Sequence, residues 1–518
     1  MDKIKILWVD DEIELLKPHM IFLKEKGYEV ITANNGADAL ELIESESFDL
    51  VFLDENMPGM SGLEVLDEIK KTKSQLPVIM ITKSEEESIM EGAIGANIAD
   101  YLIKPVNPKQ ILLAIKKNID ARRIISDKNT ETYQREFQKI GMEISDSLNH
   151  TDWTKIYRKL VDYEMKLESS RDEGILEIFN MQKDEANSVF SEFVMKRYYD
   201  WVNSNESEKP VQSHQVIKEK LFPILENSQN PVFLLVIDNL RFDQWKTIFP
   251  TINEFFRIEK EETYYSILPT TTQYARNSFF SGLLPDQIKK RFPKFWTDED
   301  EEGSKNQYEE ELFREQLKRF GKEYSFSYNK VLNISKARKV QENLHQLHSN
   351  DLNIIVYNFV DTLSHARTEM EMIKELAQDE KAYRSLTLSW FKNSPLFEII
   401  KYISENGFKL IITTDHGSIR VEKPVKVLGD KNTNTNLRYK FGKRLDYNRK
   451  EVFEVRDPEN IFLPKINMST SYIFSKSKDF FVYPNNYNYY ANFYKDSFQH
   501  GGISLEEMII PFIVLNPR

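Results

Sequence analysis

Short apolar runs, several of them ending on a charged or hydroxyl side chain, are the feature that most limits the folds open to this chain. KIKILWVD, YEVITA, FDLVFLD, LPVIMIT and ADYLIK fall within residues 1–120 and read as five strands. Amphipathic stretches such as GADALELIES and SGLEVLDEIKKT lie between them. Strand–helix alternation of this kind predicts a doubly wound parallel sheet, flavodoxin-like in its layering, and sites in such sheets lie at the carboxyl ends of the strands. Over 122–200 the pattern changes. ETYQREFQKIGMEISDSL, DWTKIYRKLVDYEMKL and SVFSEFVMKRYYDWV carry a 3.6-residue period and predict a small helical bundle. From 231 a second α/β pattern begins, with PVFLLVID, YYSILP, NIIVYNFV and FKLIITTD as its apolar runs. The predicted division is 1–122, 123–209 and 210–518.

The 518 residues include no cysteine. A disulfide framework, an iron–sulfur cluster, a thiolate zinc finger and a cysteine nucleophile are therefore excluded. No apolar run approaches the roughly 18 residues of a membrane span, and MDKIKILWVDDE lacks the apolar stretch of a signal peptide. A cytoplasmic protein without membrane insertion is expected. The formal net charge of −12 argues against non-specific coating of DNA. That charge is unevenly spread. Residues 1–125 hold 15 basic and 23 acidic side chains, whereas 420–450 hold six lysines and four arginines against Glu422, Asp430 and Asp446.

In the first region Asp10 and Asp11 end one strand, Asp54 the third, Thr82 the fourth and Lys104 the fifth. Three carboxylates at neighbouring strand ends repel unless a cation sits among them, and oxygen-only ligands favour Mg2+. A lysine and a hydroxyl on the adjacent ends can then pair with a phosphoryl group on Asp54, which makes this a phospho-acceptor site. The motifs DDE at 10–12, LDENMPGMSG at 53–62, IT at 81–82 and IKP at 103–105 resemble the receiver domain of two-component response regulators. The resemblance implies phosphorylation of Asp54, and Mg2+ held by Asp10, Asp11, Asp54 and the carbonyl of Asn56. It also implies phosphoryl contacts from Thr82 and Lys104, and Tyr101 as the aromatic that turns inward on activation. A change in dimerisation would follow.

The second α/β region gathers Asp238, Thr270, Thr271, Thr272, Asp361, His365, Asp415, His416 and His500 in short motifs, DHG and D-x-x-x-H among them. Carboxylates and imidazoles without thiolates suit zinc or manganese, and three of each are enough for two ions. A hydroxyl beside one ion can be deprotonated for nucleophilic attack. In its order, Asp…Thr…Asp-x-x-x-His…Asp-His…His, the set resembles the alkaline phosphatase superfamily, including nucleotide pyrophosphatase/phosphodiesterases and PglZ-type domains. The resemblance implies one metal on Asp238, Thr272, Asp415 and His416, and the other on Asp361, His365 and His500. Thr272 fits the diesterase nucleophile motif, with Pro269 three residues before it and the turn Ser281-Gly282-Leu283-Leu284-Pro285 after it. Thr271 is the alternative. The family's downstream asparagine is unmatched. Pro293 stands in that stretch, and Arg276 or Asn277 are the candidates to replace the asparagine.

The basic segment 420–450 reads as a loop after DHG. FFVYPNNYNYYANFY (480–494) packs aromatics before His500, and IKKRFPKFW (288–296) adds a basic-aromatic stretch. Positive charge beside stackable rings suits an oligonucleotide or nucleotide phosphodiester. The combination of receiver, helical linker and PglZ-like domain is similar over the whole length to response regulators of type IX secretion. That similarity implies a sensor histidine kinase partner, control of secretion and gliding, phosphodiesterase activity on oligonucleotides, and no sequence-specific DNA-binding module. Two other readings stay open. One is an adaptor that signals by contact with a sigma factor or the secretion apparatus; the other is a phosphomonoesterase on the same metal frame.

Overall fold

The computed structural model describes residues 4–73, 76–82, 98–115, 118, 121–146, 149–168, 173–204, 208–299, 301, 303–430, 433–465 and 467–518. The chain forms two compact units, Met1–Thr132 and Tyr133–Arg518.

The first unit holds the five strands read from the sequence: β1 (Lys5–Val9), β2 (Glu29–Ala33), β3 (Leu50–Asp54), β4 (Val78–Thr82) and β5 (Asp100–Ile103). They are all parallel, in the order β2-β1-β3-β4-β5. LVFLD and VIMIT are buried at every position, as strands covered on both faces must be. Alternate residues serve opposite layers. Leu7, Val9, Val51, Leu53, Val78 and Met80 enter one apolar cluster, and Ile6, Trp8, Leu50, Phe52, Ile79 and Ile81 the other. Asn35 caps the helix Gly36–Ser45, and Ser61 with Glu64 forms a capping box on Gly62–Thr72. Because β1, β3, β4 and β5 are successive neighbours, their carboxyl ends bring Asp10, Asp54, Thr82 and Lys104 into one row.

In the second unit the helices Ala121–Ser145 (from Tyr133 on), His150–Leu167 and Glu173–Asn203 correspond to the three periodic segments. They share one apolar core with the following sheet. Trp153 lies 5.4 Å from Phe190 and Trp201 5.5 Å from Tyr265, ring centre to ring centre. That sheet has six strands: β6 (Val232–Ile237), β7 (Phe256–Tyr265), β8 (Phe326–Val331), β9 (Leu352–Tyr357), β10 (Lys409–Thr413) and β11 (Ile509–Pro517). Their order is β7-β11-β10-β6-β9-β8. β10, β6, β9 and β8 run parallel, while β11 lies antiparallel to both β10 and β7.

Two expectations need correction. YYSILP is not a whole strand: its two tyrosines close β7, which runs through FRIEKEETYY, and the run of charged residues Glu259–Glu262 marks it as a partly exposed edge strand. The basic segment 420–450 is not a loop throughout, since Lys423–Leu428 and Tyr439–Gly442 are strands of two small sheets. Lys431 lies outside the described residues.

Candidate functional site

At the carboxyl edge of the first sheet, Asp10 and Asp54 are buried, Asp11 is exposed, and an oxygen from each lies within 4.8 Å of the others. Lys104 Nζ lies 2.9 Å from Asp10 Oδ2 and 2.9 Å from Asp54 Oδ1. Burial pushes the Asp54 carboxyl up, against the pull of Lys104. For Lys104, burial lowers the pKa, but the bonds to Asp10 and Asp54 outweigh it and the net shift is upward. An ammonium thus bridges two carboxylates where a divalent cation would relieve the same repulsion. Thr82 is buried and its hydroxyl donates to Glu55. Asn56 is exposed two residues beyond β3, and Tyr101 is 41% exposed on β5.

In the second unit the long-range pairing of β10, β6 and β9 collects the other candidate ligands. Asp238 follows β6, Asp415 and His416 follow β10, and Asp361 lies on the helix Phe359–Glu369 after β9. Asp238, Asp415 and His416 form one group with ligand atoms within 4.8 Å of one another, all buried; Asp361, His365 and His500 form a second. The two groups adjoin, since the His416 and His500 rings stack at 4.3 Å between centres. His500 Nε2 lies 3.5 Å from Asp361 Oδ1, and His365 Nε2 3.6 Å from Asp361 Oδ2. His365 is exposed, the others at least half-buried.

The electrostatics are those of crowded, desolvated ligands. Burial pushes the Asp238 carboxyl well above its usual range, Arg276 opposing and Asp415 and Asp361 reinforcing. Burial pulls His416 down to about 4, a neutral imidazole able to donate a lone pair. Burial alone would lower His500 and raise Asp361, but their mutual bond reverses both shifts. Asp415 Oδ2 is buried and accepts no hydrogen bond, while Asp238 Oδ2 faces the Arg276 guanidinium. An orphaned carboxylate oxygen, a second carboxylate and a neutral imidazole within 4.8 Å of one another are a donor set a divalent metal satisfies, so the residues fit such an ion.

The three threonines differ. Thr272 Oγ1 lies 3.1 Å from His416 Nε2 and 3.4 Å from Asp238 Oδ1. Thr270 Oγ1 donates to the Gly502 carbonyl at 2.9 Å and accepts from Gly501 N at 3.0 Å. Thr271 Oγ1 is buried without a hydrogen-bond partner. A π-helical turn over Thr272–Arg276 carries Arg276 beneath the site, where Nη1 pairs with Asp238 Oδ2 at 2.8 Å and Nε donates to Glu309 Oε1 at 2.6 Å. Asn277 Nδ2 donates to the Lys305 carbonyl at 2.9 Å.

Sequence reasoning missed Asn239, whose Nδ2 reaches Asp361 Oδ1 at 3.4 Å and Ser364 Oγ at 3.3 Å from a backbone with φ of 65°. An asparagine after a strand-ending aspartate is a signal, because it tolerates the left-handed region. Glu309 gave no local signal at all. Within the basic segment, Arg438 and Lys440 are buried, Arg438 pairing with Glu507 at 2.6 Å and Lys440 donating to the Asn434 carbonyl at 2.7 Å. The aromatic run divides as well. Phe480 and Phe481 are core residues, whereas Tyr489, Tyr490 and Phe493 are exposed on the helix Tyr487–Tyr494.

Three stretches of the chain match known protein families. Residues 6–116 match the response regulator receiver domain, 123–202 the PorX response regulator linker domain, and 216–515 the BREX system PglZ alkaline phosphatase-like domain. Over 120 residues the chain is 37% identical to the alginate biosynthesis transcriptional regulatory protein AlgB of Pseudomonas putida, covering 23% of this chain and 27% of that one. It is 35% identical over 165 residues to the CpxR homolog of Haemophilus influenzae, covering 32% of this chain and 70% of that one. A CheY-like receiver domain from Methanospirillum hungatei JF-1 is similar to 23% of this chain over 96% of its own length, at 32% identity and a TM-score of 0.23. The chain thus spans about a quarter of the length of AlgB. Among the described residues no helix is long and apolar enough to cross a membrane.

Proposed function

Because the chain belongs to the PglZ alkaline phosphatase-like family and joins that domain to a response-regulator receiver through a PorX-type linker, we propose that it is a response regulator whose effector hydrolyses phosphodiesters. Phosphorylation falls on Asp54, from a sensor histidine kinase. Mg2+ is held by Asp10, Asp11, Asp54 and the Asn56 carbonyl, with Thr82 and Lys104 on the phosphoryl group and Tyr101 as the switch. The functional division is 1–122, 123–209 and 210–518, with dimerisation on phosphorylation and a role in cytoplasmic control of secretion and gliding.

One observation carries the enzymatic reading: the Thr272 hydroxyl lies 3.1 Å from His416 Nε2 and 3.4 Å from Asp238 Oδ1. Asp238, Thr272, Asp415 and His416 would hold one zinc ion, or manganese, and Asp361, His365 and His500 the other. Such ions supply Lewis acidity and lower the pKa of a hydroxyl. Thr272 Oγ1 attacks phosphorus, the bond to one ester oxygen breaks and that group leaves as an alcohol, taking up the proton the threonine lost; water then displaces the remaining phosphate monoester and restores the threonine hydroxyl. His416 stays neutral through the physiological range because burial holds it near 4. Arg276 fixes Asp238 from behind. The exposed rings of Tyr489, Tyr490 and Phe493 support an oligonucleotide or nucleotide substrate, as bases stack on such faces.

The test is metal analysis together with hydrolysis of a chromogenic phosphodiester and its monoester analogue by wild type and Thr272→Ala. The variant should lose about 10³-fold or more in turnover, since the nucleophile and the metal site act together. Equal diester turnover in the two proteins would falsify the reading, and preference for the monoester would correct the substrate class.

A further inference from the structure

The loops that carry the metal ligands are backed by a buried polar network that begins on the long helix Glu173–Asn203. Arg241 stands three residues after Asp238 and is fully buried; its Nε donates to Asp243 Oδ1 at 2.9 Å and an Nη donates to Glu380. Gly417 directly follows His416. A methyl group there would meet the Glu506 carbonyl oxygen at 2.1 Å and Arg241 Cγ at 3.5 Å, so three loops converge at this point. Glu506, six residues after His500, accepts from Asn187 Nδ2 at 3.0 Å and pairs with Lys183 at 3.3 Å. Asn187 Oδ1 accepts from Leu505 N at 2.8 Å, and Ser191 Oγ donates to the Ile503 carbonyl at 3.2 Å. Lys183 also meets Glu164 at 2.9 Å, Glu164 meets Arg384 at 3.0 Å, and Arg384 meets Asp243 at 2.7 Å. The circuit closes back at Arg241.

Lys183, Asn187 and Ser191 are spaced by four residues, which aligns them on one face of the helix, and all three are buried. An apolar stripe there would give equal or greater stability, because a buried ion pair seldom exceeds its own desolvation cost. What the polar stripe adds is fixed geometry, each bond setting a distance between the helix and one particular loop. We infer that Lys183 and Asn187 are positioning residues for the metal centre, acting through Glu506 and Arg241 on the loops that hold Asp238, Asp415, His416 and His500. The linker helix is then part of the effector's working parts rather than a spacer. The inference rests on the two-metal reading above.

The experiment uses the full chain, with zinc affinity measured by competition with a chromophoric chelator, and thermal unfolding and turnover alongside. Asn187→Ala and Lys183→Met should each weaken zinc binding about tenfold to a hundredfold, the range for losing an outer-sphere partner. Lys183→Arg, which keeps the charge and folds most readily, should restore most of the affinity. Ile156→Val, an apolar core change on the neighbouring helix, controls for general loss of stability and should bind zinc as wild type does. Wild-type affinity in both Asn187→Ala and Lys183→Met, or an equal loss in Ile156→Val, would overturn the inference. A wild-type protein that binds no divalent metal would remove the two-metal reading, and this inference with it, before any variant is compared.

Discussion

Gly417→Ala is the sharpest single test of how the metal-ligand loops are packed. The added methyl would stand 2.1 Å from the Glu506 carbonyl oxygen, more than 1 Å inside ordinary contact, and 3.1 Å from the carbonyl carbon. Both atoms are backbone, so no side-chain rotation relieves the clash. The φ angle of Gly417 is not in the left-handed region, and the demand is for space rather than for backbone freedom. Overpacking a filled interior costs about 1–3 kcal/mol, and an immovable neighbour puts this case near about 3 kcal/mol. The loop yields instead, and His416 moves with it. A thermal scan should show the larger unit melting earlier, and zinc competition should show weaker binding. Gly141→Ala supplies the opposite sign. It lies in the helix Ala121–Ser145 with only Gln182 Nε2, at 3.9 Å, near its added methyl, and should gain up to about 1 kcal/mol from helix propensity. If Gly417→Ala melted and bound zinc as wild type does, the packing argument would be wrong.

Three further outcomes concern the two sites and one buried acid, Glu299. Asp54→Asn should abolish the mass gain and any change in oligomeric state produced by acetyl phosphate with Mg2+, read by intact mass and light scattering; a variant still modified would move the acceptor elsewhere. Chelation should lower the melting temperature of the larger unit, because an ion at about 100 times its Kd contributes about 2.7 kcal/mol; an unchanged melt after verified metal removal contradicts the site. Burial pushes the Glu299 carboxyl up to about 7 from 4.5, with Tyr439 and Tyr274 opposing. A raised acid favours the folded state fully below 4.5 and loses that contribution as pH rises to about 7. Glu299→Gln should therefore flatten the fall in stability between pH 4.5 and 7, and an unaltered slope counts against the assignment.

The strands and ligand motifs were legible because they are local. Four of the five apolar runs end on Asp10, Asp54, Thr82 and Lys104 and carry their meaning in period and terminal residue, and parallel pairing of neighbours then aligns those residues. The same logic held for Asp238 and Asp415 at the ends of β6 and β10. It failed where the partner is distant in sequence. β7 reads as a charged segment because one of its edges is exposed, and only β11, some 250 residues later, makes it a strand. Arg438 and Lys440 look like a solvated charge run, yet their partner Glu507 and the Asn434 carbonyl lie in the interior. No spacing rule separates such residues from surface lysines. The stripe of Lys183, Asn187 and Ser191 was hidden for the opposite reason, since polar residues at helical spacing look like an outward face.

The position of β11 has a consequence for how the protein is made. It is the last strand in sequence, yet it lies between β7 and β10 and is antiparallel to both. A nascent chain that already contains every candidate metal ligand of the larger unit, His500 included, still lacks the strand that joins β7 to the rest of the sheet. Two strand edges stay open until then, and open edges recruit other chains. Synthesis therefore passes through an interval in which the ligands are all present and the sheet that spaces them is not. In that interval a metal ion would meet loose carboxylates and imidazoles, with affinity and selectivity unlike those of the finished centre. Closing the sheet with this strand would make the proposed metal site a product of completed folding.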